Sequence, residues 1–377
     1  MTASLRRSLP ESALAAALFL VCFVAVHHWF WGRLQIVDWP GYRDDARAIL
    51  DHGLVPYRDF PVEYPPLALP VFLLPAAFSN YASAFADLMA ACGVAMTVVV
   101  AAIDRRAAFY AALAPVLVGS LVLSRFDLWP VLLVAIALLA LVEGDDALGW
   151  AFLGAGVGAK LWPLAIVPLA LVWSFRRGHR RAPFAGLAVA AAVFVPFAVI
   201  APHGLWASVH GQGDRPLQIE SLGASLLTVF SHPRVVTTHG SQNVAGHGLY
   251  AAVFAVAQLL AIVACWVAYA RGPATRERLL TYSAAAVCAF VAFGKVLSPQ
   301  YLLWLIPLVP LVGGARRLPA LVALTAACAL TQVWFPLRYF AYADSFHLAG
   351  VVLARDLVLV ALYAVLVWPA ATRPRPG

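Results

Sequence analysis

Apolar runs follow one another from Ala13 to Trp368, and they limit the fold more than any motif does. A helix needs about 20 such residues to cross a hydrocarbon core. Inside lipid, a helix also satisfies its own backbone hydrogen bonds. With 63% hydrophobic and 12% charged residues, the chain reads as one all-α polytopic membrane domain over residues 1–377, with no soluble domain. Ala13 to Phe30 is followed by further spans and by no A-x-A-like site, so it is read as the first span and not as a cleaved signal. Cys22, Cys92, Cys265, Cys288 and Cys328 all fall in apolar segments, where cysteine is a small packing residue and not a disulfide partner.

The formal net charge of +8 would suit an anionic partner, but its distribution argues for topology. Arg6-Arg7, Arg105-Arg106, the arginines from Arg176 to Arg181, Arg271 with Arg276 and Arg278, Arg316-Arg317, and Arg373 with Arg375 sit in short connections or at the ends. Placing all of them in the cytoplasm satisfies the positive-inside rule and leaves no case for nucleic acid. The spans then fall near 12–31, 81–103, 107–124, 127–143, 148–159, 163–175, 182–201, 247–270, 279–296, 301–314, 319–334 and 350–370, about twelve in all, with both termini cytoplasmic. Two stretches depart from a simple span. Pro65 to Phe78, short and proline-rich, is read as a helix lying along the outer interface. Lys160-Leu-Trp-Pro163 is read as a break that turns one long apolar stretch into two short helices.

This topology leaves two long outer loops, residues 32–80 and 203–246, and gathers most unusual polar residues on one face. The first loop holds Asp38, Asp44, Asp45, Asp51, Asp59 and Glu63. Acid concentrated beside a membrane surface points to chemistry or ion handling. Tyr42, Ala46, Ile49 and Leu50 recur at helical spacing, predicting a short amphipathic helix with Gly53 just past its end. Asp44 and Asp45 are read as its solvated face. Asp38 lies outside the periodic segment, near the end of the first span; it is either a base with a raised pKa, or an aspartate that caps the helix or pairs with a nearby arginine. Lys160 and Lys295 are the only lysines among 26 Lys and Arg residues, and both sit at outer helix ends. A snorkelling end and a point charge for a phosphate remain open for both. His27 and His28, with Trp29 and Trp31, read as interfacial anchors, and Glu143-Gly-Asp-Asp146 as a solvated turn.

The order Asp38-x-x-x-Tyr42, Gly53-x-x-Pro56-Tyr57, Tyr64-Pro65-Pro66, Arg125-Phe-Asp127, Lys160-x-x-Pro163 and Ser298-Pro299 resembles glycosyltransferase family 87 over residues 35–305. These are actinobacterial GT-C enzymes that use polyprenyl-phosphate sugars, the best-known relative being an α-mannosyltransferase. One departure stands out: several relatives carry a histidine pair after Ser-Pro, whereas this chain reads Ser298-Pro-Gln-Tyr-Leu-Leu-Trp304.

The resemblance implies a GT-C-like fold in the bacterial plasma membrane and an inverting hexosyl transfer on the extracytoplasmic face. The donor would be a polyprenyl-phosphate sugar, expected to be mannose, and the acceptor a lipid or glycolipid hydroxyl. Asp38 would be the general base. Lys160, Lys295, Arg125 and Arg338 would hold the leaving phosphate. Tyr42, Tyr57, Asp59, Glu63, Tyr64, Asp127, Gln300 and Tyr301 would line the sugar and acceptor sites, with Asp59 and Glu63 either orienting hydroxyls or pairing with Arg58 and Arg43. No cofactor is expected beyond the lipid-linked donor. No metal is expected either, because no ligand-spaced His, Cys or acid cluster stands out. The competing readings are a transporter or flippase of lipid-linked substrates, which would need acids in mid-span and two similar halves, and a non-catalytic GT-C relative.

Overall fold

The computed structural model describes residues 9–33 and 36–368; Arg6, Arg7, Arg373, Arg375 and the chain ends lie outside the described residues. The main helices are α1 (Leu9–Phe30), α2 (Trp39–Leu50), α3 (Tyr81–Ile103), α4 (Leu128–Glu143), α5 (Asp146–Ala159), α6 (Val167–Arg176), α7 (Pro183–Ile200) and α8 (Pro202–Asp214). After strand β1 (Leu217–Gln218) come α9 (Leu222–Phe230), β2 (Val235–Thr238) and β3 (Ser241–Val244). Helices α10 (Gly248–Arg271), α11 (Arg276–Phe293), α12 (Arg317–Trp334), α13 (Tyr339–Ser345) and α14 (Ala349–Val367) complete the order.

Six of the described helices, α1, α3, α7, α10, α12 and α14, are long and apolar enough to cross a membrane. The chain is a multi-pass membrane protein. The others are shorter, and two stretches expected to be single spans are broken. Residues 107–124 form pieces at Arg105–Ala112, Ala114–Val118 and Leu121–Ser124, interrupted by Pro115 and by Gly119 at φ +61°. Residues 301–314 hold one short turn of helix, Leu302–Leu305, and a 3-10 turn at Val309–Leu311 around Pro307 and Pro310. Proline removes the amide that would continue each helix. The expected break at Lys160 is present, with Lys160 extended after α5 and a 3-10 turn at Trp162–Ala165 before α6.

Pro65 to Phe78 is helical only in short pieces, which bury Phe72 and leave Leu74 and Phe78 exposed. The Phe72 ring stacks on Tyr42 of α2 at 4.3 Å. The amphipathic helix α2 forms as its spacing predicts, burying Tyr42 and Ala46 and ending ahead of Gly53 at φ +65°.

The second loop departs most from the all-α expectation. It carries α8, α9 and a three-stranded antiparallel sheet in the order β1-β3-β2. Between Thr238 and Ser241, a paired position, His239 and Gly240 both have positive φ, the geometry of a tight hairpin that matches strand twist.

The arginine-rich connections meet at one end of the bundle. Arg105 pairs with Glu11 at 2.7 Å, Arg317 with Asp104 at 3.0 Å, and Arg276 donates to the Ile103 carbonyl at 2.6 Å. Asp146, expected in a solvated turn, is instead buried and faces His179 at 3.2 Å. The five cysteines are free and buried, as their apolar settings imply. In mid-span of α14, Arg355 holds Asp356 at 2.7 Å and donates to the Glu220 carbonyl at 2.7 Å, while Ser225 donates to Asp356 at 2.7 Å. The charge in this span is thus an internally paired strut that ties α9 and the 218–221 turn to the bundle.

Helices α5 and α7 cross at glycine. A Cβ on Gly154 would strike the Gly186 carbonyl, and one on Gly186 would lie 2.7 Å from the Trp150 carbonyl. Small residues permit this approach where no hydrophobic effect drives helices together in lipid. Gly154→Val is expected to force the pair apart at about 1–3 kcal/mol, lowering the thermal midpoint in detergent by several degrees. An unchanged midpoint would contradict the close crossing.

Candidate active site

At the end of the bundle away from the arginine connections lies a cavity of about 600 Å³. Asp38, Tyr42 and Asp45 form one wall, from α2 and its approach, and Glu63 and Tyr64 line the extended segment that follows. Arg125, Lys160 and Trp162 come from the ends of short helices. Ser208 and Gln212 of α8, Arg215, Gln218, Glu220 and the β2–β3 hairpin close the opposite side, with Gln300, Tyr301, Trp304 and Tyr339.

The most buried polar interaction there is Lys160 with Asp127. Helix α5 stops at Ala159 because Pro163 follows, so Lys160 turns its side chain down to Asp127 Oδ1 at 2.7 Å. Trp304 Nε1 donates to the same oxygen at 2.6 Å. The ammonium lies over the rings of Phe126, Tyr64 and Trp304 at 4.7, 5.3 and 5.5 Å, where ring faces attract a cation. Tyr301 and Trp162 stack on Trp304. Burial lowers the Lys160 pKa, and Asp127 opposes that shift.

Asp38 stands at the N-cap of α2, yet its side chain makes no capping bond. Its carboxylate pairs with Arg125 and accepts the Tyr42 hydroxyl at 3.4 Å. The Asp38 amide donates to the Ser124 carbonyl, which fixes the two segments together. Arg125 is buried, and desolvation pulls its guanidinium down to about 10 against the charges of Asp127, Tyr339 and Glu220. A third pair, Glu63 with Arg215 at 3.5 Å, lies at the hairpin, where Arg215 also reaches Ser241 at 3.1 Å.

Two carboxyls lack such a cation and titrate high. Burial, then the charges of Asp44 and Glu63, pushes Asp45 up to about 6. Burial pushes Glu220 up to about 7, although Arg355, Tyr339 and Arg215 oppose it.

Of the residues expected from sequence, the cavity brings together Asp38, Tyr42, Glu63, Tyr64, Arg125, Lys160, Gln300 and Tyr301. Asp127 sits beneath Lys160. Tyr57 supports the wall from behind, its hydroxyl donating to the Tyr64 carbonyl at 2.6 Å. Asp59 is held by Arg58 at 2.9 Å and by the Val55 amide at 2.8 Å, away from the cavity. Lys295 does not line it; its ammonium donates to the Gly213 carbonyl at 2.5 Å. Arg338 is exposed and also off the cavity, while its neighbour Tyr339 lines it. Asp44 is exposed as expected, but Asp45 is half-buried on the cavity wall and is not a solvated residue.

The sequence places Gln218 and Glu220 among the polar residues of the second outer loop but gives neither a role, and it gives no sign of Arg215. The signal for the hairpin that frames them, Val235-Val-Thr-Thr-His-Gly-Ser-Gln-Asn-Val244, was present as two β-prone runs around a two-residue turn. Among the described residues, no group of three or more His, Cys, Asp or Glu side chains is placed to hold a metal ion.

The family model described as glycosyltransferase family 87 matches residues 62–299. The chain belongs to glycosyltransferase family 87. That match takes in Arg125, Asp127, Lys160 and the 218–220 wall, and begins after Asp38. Among solved structures, ArnT from Cupriavidus metallidurans, crystallised with undecaprenyl phosphate, is similar at a TM-score of 0.51, with 14% identity over 94% of this chain and 76% of that one. No curated protein matches the chain. The fold is therefore GT-C, as the sequence led us to expect, and this family 87 member is a membrane glycosyltransferase.

The raised Glu220 carboxyl gives a pH signature. The folded state holds its proton more tightly than the unfolded chain does, so its contribution to stability is full below its ordinary value of 4.5 and is lost as pH rises through about 7. The thermal midpoint of Glu220→Gln relative to the parent protein is expected to rise between pH 5 and pH 8, corresponding to about 3 kcal/mol. A pH-independent difference would mean the carboxyl titrates normally.

Proposed function

We propose that this cavity transfers a hexose, with mannose the first candidate, from a polyprenyl monophosphate to a hydroxyl of a lipid or glycolipid acceptor, with inversion. The observation that carries the reading is the pairing of Asp38 with Arg125 on the wall of a cavity whose floor holds Lys160. The lipid tail of ArnT's bound undecaprenyl phosphate and the family's resemblance support a lipid-linked donor. The arginine-rich connections at the opposite end support, by the positive-inside rule, an extracytoplasmic cavity. No cofactor is proposed, and no metal.

In this mechanism Asp38 takes the proton of the acceptor hydroxyl while that oxygen forms the new bond to the anomeric carbon. The bond from that carbon to the phosphate oxygen breaks, and its electrons leave with the polyprenyl phosphate. The proton transfer neutralises Asp38. Arg125, no longer matched by that carboxylate, is then free to stabilise the phosphate as its charge grows. Lys160 supplies a second cation, held ready by Asp127 and the surrounding rings.

A second assignment of the base rests on Asp45, whose pKa of about 6 lies close to working pH on the same wall. Two variants separate the assignments. Assayed with radiolabelled polyprenyl-phosphate mannose in native membranes, Asp38→Asn is expected to lower transfer by about 10²–10⁴-fold while keeping undecaprenyl phosphate binding. Asp45→Asn is expected to cost far less and to remove an activity rise near pH 6. Equal losses from both variants, or full activity of Asp38→Asn, would reassign the base. Lys160→Met is expected to weaken undecaprenyl phosphate binding by about tenfold or more, measured in lipid nanodiscs.

A further inference from the structure

The wall opposite Asp38 contains two buried side-chain oxygens with nothing to accept, although Tyr339 also hydrogen-bonds the Glu220 carboxyl. Gln218 is 3% exposed and Glu220 1% exposed, and both line the cavity. Gln218 Oε1 and Glu220 Oε2 have no hydrogen-bond partner. Leaving such atoms buried and unmatched is costly, so native proteins rarely do it without a ligand or ordered water to complete them.

The backbone around them is fully used and therefore rigid. The Gln218 amide donates to the Lys295 carbonyl at 3.0 Å, Ser221 closes a turn onto the Gln218 carbonyl, and Arg355 holds the Glu220 carbonyl at 2.7 Å. The two side-chain oxygens are thus presented from a fixed turn, and the guanidinium beside them, Arg215, points its Nη atoms to Glu63, Ser241 and the His239 carbonyl and leaves only its Nε unmatched.

We infer that Gln218 and Glu220 form a subsite that accepts hydroxyl hydrogens from a neutral polyol ring, a sugar or a cyclitol, bound beside Tyr301. This rests on the transferase reading of the cavity and deepens it by naming what the second wall recognises. Anions are disfavoured by two outward acceptors. Apolar ligands would leave both oxygens unmatched. A hydroxylated ring supplies O–H donors to both and an apolar face to the neighbouring Tyr301. Near neutrality the Glu220 carboxyl also carries a proton part of the time, so it can return a hydrogen bond to a ring oxygen.

The test uses the full chain in lipid nanodiscs and saturation-transfer NMR. The probes are the octyl glycosides of mannose, glucose, galactose and arabinose, and free myo-inositol; undecaprenyl phosphate is titrated in parallel. At least one polyol probe is expected to bind, to weaken by about tenfold or more in Gln218→Leu and Glu220→Leu, and to recover to within about threefold in Glu220→Gln. Undecaprenyl phosphate affinity is expected to stay constant across these variants. Where a leucine variant loses undecaprenyl phosphate binding as well, Gln218→Asn serves in its place, and polyol binding is expected to weaken there too. If no probe binds the parent protein, or if the variants bind as the parent does, the wall is merely hydrated and the inference is overturned. If polyol binding responds as expected but undecaprenyl phosphate does not bind, the donor assignment fails and the subsite stands. Glycosides binding without myo-inositol, or the reverse, tells the sugar source from the cyclitol.

Discussion

A lysine can be kept in this protein's interior only because an aspartate and three aromatic rings receive it. Removing Lys160 and Asp127 from water costs several kcal/mol per ion, and their contact, the Trp304 N–H and the ring faces together offset that cost. The arrangement demands that α5 stop where it does, that α4 begin just beyond Asp127, and that the broken 299–311 stretch deliver Trp304 edge-on. Each of these is a place where the chain abandons a regular span. The short, interrupted helices therefore follow from the site: continuous helices would carry these side chains past one another.

Much of this was legible in the sequence, for a simple reason. Hydrophobic runs, the Lys160–Pro163 break and the α2 periodicity are local patterns, and the bilayer punishes any other reading of them. The acid-rich first loop and the Arg125-Phe-Asp127 segment were legible because charge is scarce in such a chain. What stayed hidden depends on distant partners. Lys295 and Lys160 look alike as lone lysines at helix ends, but only one of them faces an aspartate 33 residues away; the other meets a backbone carbonyl. Asp45 reads as the polar face of an amphipathic helix, and so it is, except that the face is turned toward Glu63 and the cavity.

The loop after α7 shows the same limit more sharply. Its glycines, histidines and serines carry little periodicity, so the sheet order β1-β3-β2, in which the first strand pairs with the last, cannot be read from neighbours in sequence. That pairing aligns Gln218 with Asn243 and sets Glu220 at the cavity. Arg355, buried in mid-span of α14, then clamps the turn from below. A charge pair inside the membrane that would ordinarily suggest an ion path instead braces the 218–221 turn, because Arg355 and Asp356 pair with each other and with that turn and Ser225.

The two walls differ in how their charges are satisfied, and that difference orders the chemistry. On the Asp38 side two acids face a cation, Asp38 with Arg125 and Asp127 with Lys160, while Asp45 faces none. Such a wall is close to neutral at rest, yet it becomes cationic as soon as Asp38 gains a proton. In the proposed transfer its positive potential would thus appear only while bond-making at the acceptor is under way, when phosphate charge would be developing. An interaction that strengthens toward the transition state raises turnover, whereas a permanently bare cation would mainly tighten ground-state binding of an anionic lipid that the enzyme must also release.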